Sequence, residues 1–136
     1  MATTVTNLKL TQVQGVTAIT ENGSTQAAGT IDISSTLKKS TETISGDQVV
    51  NISSLYWSLG NGVTATVTRN SVVLHTLHMS GKLEFYGFSE NRHNTHDIVV
   101  GITDSGGTGT GTVIVQTAKI SGYGSYQHQG ADGALG

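Results

Sequence analysis

Residues 48–88, QVVNISSLYWSLGNGVTATVTRNSVVLHTLHMSGKLEFYGF, decide the fold. They read as consecutive extended segments joined by tight turns, and they hold the only Trp and both Phe residues of the chain. Gly60-Asn61-Gly62 is the sharpest turn signal. As a two-residue Asn-Gly loop it would set Leu59 opposite Thr64 and Trp57 opposite Thr66, leaving each face half apolar. As a three-residue loop with Gly62 in the left-handed position, it sets Leu59 against Val63, Trp57 against Ala65 and Leu55 against Val67. Ser54, Tyr56, Ser58, Thr64 and Thr66 then share the other face. One apolar face is what fixes register in a half-buried antiparallel pair, so the three-residue hairpin is the expected structure.

The same alternation extends outward. Lys82 to Tyr86 places Leu83 and Phe85 on one side and Lys82, Glu84 and Tyr86 on the other. Residues 97–103 place Ile98, Val100 and Ile102 together, and residues 30–34 place Ile31 and Ile33 inward. Residues 72–79, after a turn at Arg69-Asn70-Ser71, are apolar on both faces and cannot be assigned a side. Ser80-Gly81 marks a further turn. Residues 112–120 close the sheet, with a Gly/Thr-rich hairpin loop before them. Residues 38–47 and 89–96 are polar loops, the first anchored at Ile44. Val5, Leu8 and Leu10, then residues 16–19, are extended pieces that belong either to the sheet or to an N-terminal arm (residues 1–36). No stretch carries the caps and period of a helix. Short strands every 8 to 12 residues mean an all-β fold, an antiparallel β-sandwich of jelly-roll-like or Ig-like type. One domain is expected over residues 1–120, followed by a Gly-rich tail over 121–136.

Composition narrows the partners. Charged residues make up 12% of the chain, against roughly 25% in an average globular protein. Ser, Thr, Gly and Asn take their place on the surface, and a surface poor in charge suits close contact between subunits. Lys and Arg are scattered, with only Lys38 and Lys39 adjacent, so nucleic acid is not an expected partner. The chain has no Cys and hence no disulfide or thiolate metal site. MATTVTNLKL has neither the basic nor the apolar region of a secretion signal, and no apolar run reaches membrane-helix length. The expectation is a chain made in a cytoplasm that does not enter a membrane.

Reactive constellations are few. His93, His96 and Asp97 are the residues that would supply ligands if a metal were held, since imidazole and carboxylate suit zinc-like ions. Exposed loop histidines without a helix or Cys to align them are the commoner case, and no metal or cofactor is expected. His75 and His78, three apart, fall on opposite sides of a strand. GGTGTG at residues 106–111 lacks the following helix that a phosphate cradle requires. No nucleophile elbow or acid–base carboxylate pair is present, so no enzyme activity is expected. Tyr56, Tyr86, Tyr123 and Tyr126 are candidate interface anchors. Tyr56, Tyr86 and Tyr123 could alternatively stack on sugars in a carbohydrate-binding or adhesive module.

Across residues 48–123 the chain resembles small virion structural proteins of tailed bacteriophages, those of marine and cyanobacterial phages in particular. The resemblance is carried by V-T-R-N before an apolar strand, G-K-L-E-F, D-I-V-V, and the Gly/Thr-rich segment leading into a strand that ends K-I-S-G-Y. It implies a β-sandwich subunit of the virion without enzymatic activity, best matched by a capsid decoration or cement protein. A neck or tail component is the alternative. The implied partners are the major capsid protein or other virion proteins and sister copies in a homo-oligomer. The motifs carry no reacting groups.

Overall fold

The computed structural model describes residues 3–23, 27–85, 90–106 and 109–125. They form nine strands and, among the described residues, no helix. In chain order these are β1 (Thr3–Leu10), β2 (Gln14–Asn22), β3 (Gly29–Ile31), β4 (Glu42–Leu59), β5 (Thr64–Arg69), β6 (Val72–His78), β7 (Ser80–Glu84), β8 (Ile98–Thr103) and β9 (Thr110–Ser125). One sheet has the order β1-β2-β9-β4-β7 and the other β3-β8-β5-β6, all pairs antiparallel. Leaving β1 aside as an added edge, the remaining eight strands divide between the sheets in the order of a jelly roll, β2-β9-β4-β7 facing β3-β8-β5-β6, which selects that topology over the Ig-like one.

The expected Gly60 hairpin is not a hairpin. β4 and β5 lie in different sheets, and residues 60–63 carry the chain from one to the other. The turn chemistry is as read: Val63 N donates to Gly60 O at 3.1 Å, and Gly62 has φ of 78°. The inward set is also as read, with Leu55, Val63, Ala65 and Val67 buried and Trp57 and Leu59 packed against the core. An apolar face on two successive strands arises equally when they pair side by side and when they face each other across a sandwich. Pairing is therefore the part that alternation leaves open.

The tight hairpin comes one connection later. Asn70 and Ser71, with φ of 52° and 62°, join β5 to β6. Two consecutive left-handed residues are the mark of the type I′ turn, whose twist matches that of the strands. A bulge at Leu74 then displaces the alternation of β6, so Leu74 and Leu77 are both buried three residues apart. That explains why residues 72–79 read as apolar on both faces. Met79 alone, at φ of 61°, returns the chain to the first sheet. No turn forms at Ser80-Gly81, where β7 begins.

β9 is the central strand of its sheet, between β2 and β4, and does not close an edge. It begins at Thr110, so the Gly-rich segment before it crosses between sheets and is not a hairpin loop. It also runs past residue 120 to Ser125, and Tyr123, expected in a tail, is core. Residues 3–22 are strands of the main sheet and not a separate arm. Residues 42–47, expected in a loop, open β4, with Ile44 against the core as expected. Between the sheets Ile98, Val100 and Ile102 of β8 meet Ile19, Ile52, Val113 and Val115. Burial of this set supplies most of the driving force for folding, at about 25 cal/mol per Å² of apolar surface.

Candidate interface

Side chains at paired positions of an antiparallel sheet lie on the same face, so the register gives the outer surface of the five-stranded sheet row by row. Thr4, Thr20, Thr112, Ser58 and Ser80 are successive partners across β1, β2, β9, β4 and β7. This is an unbroken row of five hydroxyl residues, one per strand. Thr20 and Thr112 bring their Oγ1 atoms to 3.4 Å. Two positions along, Thr6, Ala18, Ile114, Tyr56 and Lys82 form the next row. Only its end, at the β7 edge, is charged. Between the rows lies a hollow of ≈ 320 Å³ lined by Tyr56, Trp57, Ser58, Gly81, Thr112 and Ile114.

Two aromatic residues shape this hollow. The Tyr56 hydroxyl donates to Glu84 Oε2 at 2.6 Å, which leans the ring across β7. Trp57 points toward the interior and donates from Nε1 to His78 O at 2.9 Å. Its ring occupies the space where Gly81 has no side chain; a Cβ there would come within 3.1 Å of the indole.

A second surface lies at the far end of β9. β2 pairs with β9 only as far as Gln14↔Ala118, and the last link on that side is Lys119 N to Val13 O at 2.9 Å. From there to Ser125, among the described residues, β9 has β4 as its only strand partner. Val13 is 68% exposed and Ile120 56% exposed beside this edge. With Gln12, Gly122 and Gly124 they line a groove of ≈ 300 Å³.

Beneath that edge is a buried polar knot. Lys119 Nζ donates to Glu42 Oε1 at 2.7 Å and to Thr11 O at 2.8 Å, and lies 4.4 Å from the centre of the Tyr123 ring. The Tyr123 hydroxyl donates to Ile33 O. Burial pushes the Lys119 ammonium below its ordinary pKa, partly offset by Glu42, and pushes the Tyr123 phenol well above its own.

The candidate ligands His93, His96 and Asp97 do not converge. The two imidazoles are exposed, edge to face at 6.1 Å between centres, while Asp97 Oδ1 accepts from Ile33 N at 2.9 Å. No group of three or more His, Cys, Asp or Glu residues able to hold an ion occurs among the described residues. Their loop is instead fastened to the sandwich. Asn94 O accepts from Val50 N, and Glu90 bridges Ile52 in both directions. Arg69, fully buried, donates to His96 O from Nε at 2.9 Å and Nη2 at 2.6 Å, and to Val50 O from Nη1 at 2.6 Å. Burial lowers its pKa to about 10, against the field of nearby Asp97, and leaves it charged at neutral pH.

Of the four tyrosines read as anchors, Tyr56 is half-buried at the outer face and Tyr123 is in the core, which removes it as a surface anchor. Tyr86 and Tyr126 lie outside the described residues. The hydroxyl row, Arg69 and the Lys119–Glu42 pair were not read from the sequence. Thr-x-Thr spacing at residues 4–6 and 64–68 hints at exposed hydroxyl faces, but the row requires the register of all five strands. No family model and no curated protein matches the chain.

Proposed function

We propose that this chain is a non-catalytic structural subunit of a tailed-phage particle, a capsid decoration protein that binds over the shell and bridges neighbouring subunits. The resemblance over residues 48–123 motivates the reading. The observation that carries docking is the edge of β9 beyond Ala118, which among the described residues has no strand partner on the β2 side and is flanked by exposed Val13 and Ile120. Soluble proteins protect strand edges with charge, proline or a covering element. Here Lys119 is turned inward onto Glu42, and the chain has no proline. Such an edge accepts an extended segment by strand addition, with main-chain hydrogen bonds giving affinity and apolar contacts giving selectivity. The partner is the major capsid protein or a sister copy, and bridging adds contacts that must break before the shell opens.

The reading is tested by mass spectrometry and reconstruction of purified particles. The expected result is a copy number in proportion to the major capsid protein, with occupancy falling when Val13→Asp and Ile120→Asp are combined. Density confined to a neck or tail would move the protein to that location. A chain absent from particles would sink the proposal.

A further inference from the structure

We infer that the outer face of the five-stranded sheet is a second binding surface, which takes a neutral polysaccharide. The Thr4-Thr20-Thr112-Ser58-Ser80 row spans five strands, roughly 19 Å at the usual strand spacing. Each hydroxyl there can both donate and accept. A surface of this kind complements a ligand that is itself polyhydroxylated, because either partner can rotate to supply the missing role. The adjacent hollow is mainly apolar, walled by Tyr56 and Ile114 and bordered by Ser58 and Thr112 of the row. A sugar ring has the matching division, with C–H groups on its faces and hydroxyls around its rim. One face would rest in the hollow against Tyr56 while the rim reaches the row.

Charge complementarity selects among polymers. No residue of the hydroxyl row is ionisable, and the flanking row carries charge only at Lys82, which lies 3.8 Å from Glu84. Glu84 is in turn held by the Tyr56 hydroxyl. These two rows therefore offer neither the cation cluster that a sulfated or acidic polymer needs nor an anionic one for a basic partner. This surface is distinct from the β9 edge, so the inference stands or falls separately from virion docking.

Affinity electrophoresis of the full chain through gels containing soluble β-glucan, mannan or starch tests it, with dextran sulfate as the anionic comparison. The expected result is retardation by at least one neutral polymer. Thr112→Val and Thr20→Val, which keep shape and remove a hydroxyl, should each weaken it about fivefold, and Tyr56→Ala about tenfold. Thr66→Val, on the outer face of the other sheet, should leave it unchanged. Should Tyr56→Ala lose its folded circular dichroism spectrum, the two threonine variants decide alone. Retardation by no neutral polymer, retardation by dextran sulfate alone, or undiminished binding by both threonine variants would overturn the inference.

Discussion

The ammonium of Lys119 lies 2.7 Å from Oε1 of Glu42, and neither side chain reaches solvent. The pair joins the two longest strands, β9 and β4, and holds the turn before β2 through Thr11 O. Oε1 also accepts from Lys39 N, whereas Oε2 is buried without a hydrogen-bond partner among the described residues. Removing one partner leaves the other charge stranded in a low-dielectric setting, which costs about 3–5 kcal/mol. Lys119→Met and Glu42→Leu should each destabilise on that scale, and the double variant by less than their sum. Urea unfolding of the four proteins in a double-mutant cycle measures the coupling. Additive effects would mean the pair contributes no interaction of its own.

Arg69 offers a test that depends on shape as well as charge. Its three hydrogen bonds reach two carbonyls, from β4 and from the loop holding His93 and His96. Lysine keeps the charge and loses the fork. Arg69→Lys is expected to cost about 2–4 kcal/mol, because carbonyls and a cation are left partly unpaired in the interior. Amide hydrogen exchange should show Asn94, Thr95 and His96 losing protection before the core strands. Wild-type protection there would refute the view of Arg69 as the fastener of this loop.

Strand faces were legible in the sequence; strand partners were not. Ile98, Val100 and Ile102 alternate with residues that are not buried, and all three are core. Ile31, Ile33, Leu55, Ala65 and Val67 were placed inward by the same logic, correctly. Facing is a local property with a period of two, whereas six of the eight connections cross from sheet to sheet. A crossing turn at Gly60-Asn61-Gly62 presents the same residues as a hairpin turn. Tyr123 was misjudged because Gly122 and Gly124 flank it, and Gly122 reflects a close approach to β4, not a loose tail. The outer hydroxyl row depends on five registers at once, which is why composition announced a Ser/Thr surface without showing its order.

Acid should weaken the fold through two groups near the edge of β6. His75 Nε2 lies 3.2 Å from Glu90 Oε1, off the line of a good hydrogen bond, with Phe85 against its ring and Arg92 beyond. Burial lowers the His75 pKa, partly offset by Glu90. Hydrogen bonds from Arg92 hold Glu90 down at about 2. Both pKa values are depressed on folding, so the unfolded chain binds protons that the native state refuses, and stability is lost as pH falls. For His75 the loss begins near its ordinary pKa of 6.5, and for Glu90 it runs from 4.5 toward 2. Thermal melts between pH 8 and pH 3 should show both phases. His75→Phe should abolish the upper phase and Glu90→Gln should diminish the lower one.

The β5–β6 hairpin leaves room for a stabilising change. Ser71 occupies the second position of the type I′ turn at φ of 62°, where glycine is preferred. Ser71→Gly should relieve left-handed strain and raise stability by about 0.5–1 kcal/mol, less the added entropy of the unfolded chain. A rise in the urea midpoint at constant m-value checks this. An unchanged or lower midpoint would mean the entropy loss wins.

Two glycines with nearly the same dihedral separate backbone strain from crowding. Gly62 has φ of 78°, with nothing within 4 Å of where a Cβ would stand. Gly122 has φ of 90°, and its Cβ would lie 2.7 Å from Asp47 O and 2.7 Å from Gln48 Cα. Gly62→Ala should therefore cost only the left-handed penalty, about 1–2 kcal/mol. Gly62→Asn should recover much of it, since asparagine tolerates that region. Gly122→Ala meets the same penalty and must also push β9 away from β4 at the bulge, where both contacts are main-chain atoms that cannot rotate aside. Its cost should exceed that of Gly62→Ala by about 1–3 kcal/mol, the usual range for overpacking. Because Gly122 lines the groove beside Val13 and Ile120, its substitution should also reduce the strand addition proposed for the β9 edge, while Gly62→Ala should leave it unchanged. Equal destabilisation by the two alanine variants would show that the strand gives way freely there and that the glycine is required by its dihedral alone.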